Sequence, residues 1–139
     1  MTAISDSARQ VLEGRHLAHM VTLNRDGSPH ATIIWVGLEG DEIVAGHLAL
    51  HQKVVNIQRD PRVTLSIETG RSGPGGLDEY LVIYGTARIS EGGAPELLQR
   101  LAWTYLGPDV HFPPMDNPPG GYVTHITVER VAGNGPWKD

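Results

Sequence analysis

Lys53 opens a short amphipathic run, Lys53-Val54-Val55-Asn56-Ile57-Gln58-Arg59, which Asp60-Pro61 then stops. The first N–H groups of a helix have no intrahelical acceptor and carry partial positive charge. A lysine added there makes a site for an anion, and phosphate is the natural guest. A surface helix with a solvated lysine shows the same pattern, so the neighbouring residues must decide. His51 and Gln52 precede the lysine and can donate hydrogen bonds, and Gly46 and His47 lie in the strand-like run Glu42 to Leu48 before them.

Other chemistry is sparse. The chain has no cysteine, which removes disulfides, thiolate metal sites and a cysteine nucleophile together. Of its seven histidines, His47 with His51 and His16 with His19 are the nearest pairs, but no Asp or Glu completes a ligand set, so no metal site is expected. His19, His30 and His125 read as strand residues on a wet or interfacial face. No Gly-x-Ser-x-Gly elbow is present. Tyr80, Tyr84 and His47 are the groups that could pass a proton if they face a pocket.

Eleven basic against sixteen acidic residues give a net charge of -5 over 139 residues, which argues against wholesale binding to nucleic acid or an anionic membrane. The length and 40% apolar content suit one domain over residues 1–139. The polar start, Met1 to Glu13, reads as a helix capped by Ser5 and not as a signal segment. No apolar run approaches the roughly 20 residues of a membrane span, and the expectation is a cytoplasmic protein.

The elements that must position Lys53 follow from periodicity. Ala8, Val11 and Leu12 predict a helix over 6–14. Leu17 to Leu23 and His30 to Leu38 read as strands joined at Asp26-Gly27, and Glu42 to Leu48 as a third strand, the three forming a meander. After the helix at 51–60, Val63, Leu65 and Ile67 alternate with polar residues as strand four. A glycine-rich loop over 70–76 leads to strand five, Tyr80 to Ser90. Pro95, Leu97, Leu98, Leu101 and Tyr105 predict a third helix ending at Gly107, in which Trp103 reads as a packing residue. Pro108 to Gly121 is an irregular crossing, and Tyr122 to Val131 is strand six. The sum is a mainly β (α+β) fold: a six-stranded antiparallel split β-barrel with Greek-key topology and two to three short helices.

Asp26-Gly27-Ser28-Pro29 before strand two, Trp35 within it, Lys53 through Asp60-Pro61-Arg62-Val63, and Tyr84-Gly85-Thr86-Ala87 occur in an order and spacing that resemble the split β-barrel flavin-binding family. That family includes the pyridoxamine 5'-phosphate oxidases and the F420 (deazaflavin)-dependent reductases of actinobacteria. The resemblance implies a homodimer with two cofactor sites at its interface. Thr32, Ile33, Ile34 and Trp35 would run beside the cofactor ring and Gly46 and His47 would approach its ribityl chain. His51, Gln52 and Lys53 would hold the phosphate, and Tyr80 would make a further contact.

Two departures narrow the implication. Where relatives that bind a phosphate monoester show Arg-Lys, this chain has Gln52-Lys53, so one fixed charge is missing. An FMN phosphate carries nearly two charges at neutral pH, whereas the phosphodiester of F420 carries one, which a single lysine matches better. The ending Gly135-Pro136-Trp137-Lys138-Asp139 stands where pyridoxamine 5'-phosphate oxidases continue into an Arg- and His-bearing segment, which points away from that substrate. Trp137 is free to cover a site or to lie on the barrel. The resemblance therefore implies hydride transfer from reduced F420 to a small conjugated acceptor. FMN chemistry and non-catalytic flavin, deazaflavin or haem binding are the alternatives. For the oligoglutamate tail of F420, Arg25, Arg59, Arg62, Arg71 and Arg130 are equal candidates.

Overall fold

The computed structural model describes residues 3–137; Met1, Thr2 and the last two residues of the ending, Lys138 and Asp139, lie outside it. Helix α1, Asp6–Glu13, starts where Ser5 accepts a hydrogen bond from the Ala8 N–H at 3.3 Å, and it buries Ala8, Val11 and Leu12. Its stripe and cap are those the spacing predicts. Such a cap contributes about 1 kcal/mol. Among the described residues, no helix is long and apolar enough to cross a membrane.

Seven strands follow: β1 Ala18–Leu23, β2 Pro29–Ile34, β3 Gly37–Glu39, β4 Glu42–His47, β5 Arg62–Ser72, β6 Asp78–Glu91 and β7 Tyr122–Asn134. Helix α2, Gln52–Arg59, links β4 to β5, and α3, Ala94–Tyr105, follows β6. All pairings are antiparallel, in the order β2-β1-β5-β6-β7-β4-β3. Because β4 lies beside β7 at the far side of the β5-β6-β7 meander, these four strands form a Greek key.

The expected six-stranded closed barrel is corrected in two respects. The described residues form seven strands, and their hydrogen-bonded ladder is open, with β2 at one edge and β3 at the other. Both follow from one break. The run His30 to Leu38 splits at Trp35-Val36, so that its first part pairs with β1 and its second with β4. Two strand edges are thus joined through the chain and not through a ladder, and the expected three-strand meander becomes two hairpins.

The break is stabilised from α3. The buried Tyr105 hydroxyl accepts from the Val36 N–H at 3.1 Å and reaches the carbonyls of His16 at 2.8 Å and Val36 at 3.2 Å, so the backbone groups that left the ladder keep partners. Just beyond, Gly37 lets the helix approach: a Cβ there would stand 2.7 Å from Leu101 Cδ2. Val44, Leu97, Leu101, Tyr105 and Val123 pack together under α3 with Trp35 against them. The main core fills the other side of the sheet, from Leu12 and Met20 through Leu65, Ile83 and Ile126.

Other expectations shift locally. The glycine-rich stretch is partly strand, because β5 runs to Ser72 before a single 3₁₀ turn at Pro74–Gly76. Trp103 is not a packing residue; it is 52% exposed. Trp137 does pack, buried against the main core.

Candidate functional site

Helix α2 is fixed to the sheet by an amide. Asn56 is fully buried, and its side chain donates to Thr22 Oγ1 and Asn24 Oδ1, both at 3.0 Å, while accepting from Gln52 Nε2 at 2.8 Å. Val54 and Ile57 bury beside it. The first turn of α2 therefore has a set place relative to the β1–β2 hairpin. His51 is its N-cap, but no side chain caps that end.

At this end a cavity of about 230 Å³ is lined by Ile33, Ile34, Trp35, Gly46, His47, Lys53, Leu98 and Phe112. Six of the ten residues expected at a cofactor site thus line one cavity. Thr32 joins them, its Oγ1 3.5 Å from Lys53 Nζ. His51 stands at the helix end as its N-cap, near enough for its charge to act on His47. Gln52 is adjacent in the chain, but its side chain is turned along α2 to Asn56. Tyr80 stands apart: it pairs with Glu68 and Asn134 on the sheet and lines a separate cavity with Ser66, Glu68 and Asp78.

The charge state of the cavity is simple. Lys53 is half-buried, and burial lowers its pKa from the ordinary lysine value. Among the described residues no carboxylate lies within ion-pair distance of it. His47 is buried, its Nε2 2.8 Å from Thr124 Oγ1; burial first, and then the charges of Lys53 and His51, push its pKa down to about 3. His47 is therefore a neutral imidazole at neutral pH. A half-buried ammonium without a counter-ion beside a neutral imidazole is a place where an anion restores the balance.

The aromatic wall comes from the break and from α3. Trp35 stacks on Tyr105 with ring centres 5.4 Å apart and planes 10° apart, and it meets Phe112 at 5.1 Å and 56°. Gly46 lets α3 close over the cavity, since a Cβ there would lie 3.0 Å from Leu98 Cγ. On the other side of Ile33 and Trp35 lies a larger space of about 630 Å³, bordered by Arg15, His16, Leu17, His19 and Glu68.

Leu98, Phe112 and Asn56 were not expected at the site. Asn56 carried a signal, an amide inside the apolar stripe of a short helix. Phe112 carried none, because its place depends on how an irregular segment folds back. Several arginines proposed for a polyanionic tail are already engaged. Arg62 pairs with Asp60, Arg71 with Glu79, Arg130 lies over the Tyr84 ring, and Arg59 bonds the Leu23 carbonyl. Tyr84 is accordingly on the outer face with Arg130, away from the Lys53 cavity. His125 is less exposed than a wet strand face implies, its Nε2 2.8 Å from Ser90 Oγ.

Among solved structures, the chain is similar to an F420 reductase, at 21% identity and a TM-score of 0.75, covering 93% of this chain and 98% of that one. A conserved hypothetical protein from Mycobacterium tuberculosis is similar at 24% identity and a TM-score of 0.70, with 96% and 86% covered. HupZ of Group A Streptococcus matches at 18% identity and a TM-score of 0.69 over 98% of both chains. No curated protein matches the sequence. These likenesses show a shared fold, and the profile of one family, pyridoxamine 5'-phosphate oxidase, matches residues 4–134. The chain, with its split sheet and its lysine at the head of α2, belongs to the pyridoxamine 5'-phosphate oxidase family.

Proposed function

We propose that the protein is an F420-dependent oxidoreductase, in which a hydride passes from reduced F420 to a small conjugated acceptor such as an enone or quinone. The observation that carries this reading is the lone, half-buried Lys53 at the uncapped start of α2. One ammonium and one helix terminus are the fixed positive charges here, because His47 stays neutral and the position before Lys53 is glutamine. That balance suits a phosphodiester better than the nearly doubly charged monoester of FMN.

The residues present fit the cofactor. Lys53, Thr32, His51 and the first N–H groups of α2 would hold its phosphate, while Ile33, Ile34 and Trp35 would border its ring and Gly46 and His47 the chain between them. When bound, F420 supplies the hydride. The protein's own part is to orient the ring along β2, to exclude water with Trp35, Leu98 and Phe112, and to leave one ring face open. With its pKa near 3, His47 carries no proton to give as an imidazolium at neutral pH, so the acceptor's proton comes from water or another group.

A homodimer belongs to the same proposal. Leu17, Ile33, Tyr80 and Tyr84 are large and exposed on the outer surface of the sheet region, which supports a second copy covering them. Such a copy would bring its own Tyr80 to the cavity that one protomer leaves without it.

The test is direct. The purified protein is offered reduced F420 with a panel of enones and quinones, while oxidation of F420 is followed by its absorbance. Acceptor-dependent oxidation supports the proposal. A fresh preparation carrying the visible bands of FMN and inactive with F420 would replace it with flavin chemistry. Tight binding of F420 without turnover across the panel would make the protein a carrier.

A further inference from the structure

The segment between α3 and β7 has little regular structure to hold it. Among the described residues, the backbone from Asp109 to Pro119 makes hydrogen bonds only to the Gly107 carbonyl, from the Val110 N–H at 3.5 Å, and to the side chain of Gln99. Pro113, Pro114, Pro118 and Pro119 have no N–H to contribute. The Gln99 Nε2 donates to the Val110 carbonyl and its Oε1 accepts from the Phe112 N–H, both at 2.9 Å. A side-chain amide does here what the peptide group of a neighbouring strand would do, gripping the chain on either side of His111.

Helix α3 does not need Gln99 for its own packing, which runs through Leu97, Leu98, Leu101 and Tyr105. What the amide fixes is the ring of the residue it grips. Phe112 lies 5.1 Å from Trp35 with planes 56° apart, and it lines the Lys53 cavity on one side and the surface beside Trp103 on the other. That ring is a partition between the cavity and the outer face of α3. Leu98, the residue before Gln99, lines the same cavity, so one turn of α3 supplies both a wall and the clamp that sets the next wall.

We infer that Gln99 is a positioning residue for the Lys53 cavity: its amide holds Phe112 against Trp35 as a wall of that cavity, and so sets how fast a molecule bound there escapes. That the molecule is F420 rests on the proposed function; the hold on Phe112 does not.

The test uses the full chain in two arms. Gln99→Met keeps the side-chain length and suits a helix but makes neither bond, and Phe112→Ala removes the wall itself. In the first arm, preformed F420 complexes of wild type, the two variants and their combination are rapidly diluted, and release is followed by F420 fluorescence. Each single variant should release F420 about tenfold faster with association within about twofold of wild type. The combination should be no faster than Phe112→Ala alone, because Gln99 acts through that ring. A merely stabilising role for Gln99 would leave release unchanged or make the two effects multiply. The second arm has no cofactor and uses a Trp103→Phe background, in which Trp137 is buried and Trp35 is the accessible indole. Acrylamide quenching of Trp35 should rise about twofold in Gln99→Met and in Phe112→Ala. Unchanged release in Gln99→Met, multiplied rates in the combination, or unchanged quenching would overturn the inference. Failure of F420 to bind overturns the proposed function instead, and the quenching alone then decides whether Gln99 sets the wall.

Discussion

Replacing Tyr105 by phenylalanine removes one oxygen from the place where the sheet is split. The ring, and with it the stack on Trp35, is retained, so the change isolates the hydroxyl. Burial raises the pKa of this phenol, which keeps its proton available for donation. In the variant the Val36 N–H loses its acceptor at 3.1 Å, and the carbonyl of His16 or Val36 loses a donor. A buried amide left unpaired costs about 1–3 kcal/mol, so a loss of about 2 kcal/mol is expected. For a chain of this length that corresponds to a fall in Tm of roughly 6 °C. Urea unfolding at one fixed protein concentration reads the effect: the midpoint should drop with the slope unchanged. A variant within about 0.5 kcal/mol of wild type would mean that solvent reaches Val36 and that the hydroxyl does not hold the break.

His47 gives a pH prediction. Its folded pKa of about 3 lies below the ordinary 6.5, so the unfolded chain takes up a proton first as pH falls. Stability is whole above pH 6.5 and is lost on descent toward pH 3; by pH 5 the loss is about 2 kcal/mol. In His47→Gln this component should vanish, so the difference in unfolding free energy between wild type and variant should shrink between pH 7 and pH 5. Asn56→Ala removes the tie between α2 and the β1–β2 hairpin and should cost about 2 kcal/mol in a urea melt. Because α2 carries Lys53, the same variant should bind F420 more weakly in calorimetry. Lys53→Met relieves a desolvated ammonium and should unfold at a urea concentration no lower than wild type; a marked fall would show that Lys53 serves the fold.

Alternation and helical spacing placed most elements within a few residues, because in those stretches one face is buried and the other wet. The split at Trp35-Val36 was not legible. Residues 32–36 form an unbroken β-branched and aromatic run across the break, and the partner that makes the break tolerable is a hydroxyl 69 residues away. Trp103 was misjudged although its spacing held the answer, since it falls outside the stripe of Leu97, Leu98, Leu101 and Tyr105. At the site, Lys53 was legible as the opening of a helix, whereas Gly46, His47 and residues 32–35 come only from the family resemblance, which the local pattern alone does not supply. Leu98 and Phe112 arrive from the far side of the fold, and no local pattern announces them. The side-chain bond between Gln52 and Asn56, by contrast, is an i,i+4 pair within α2 whose spacing stands in the sequence.

The account turns on whether the Lys53 cavity grips a singly charged phosphodiester. Parallel calorimetric titrations of wild type and Lys53→Ala with F420 and with FMN test that most directly. The prediction is saturable binding of F420, tighter than FMN, weakened by about 1.5–3 kcal/mol in the folded variant, the range for a charge-assisted hydrogen bond. Equal F420 affinity in wild type and folded Lys53→Ala, or a clear preference for FMN, would contradict it.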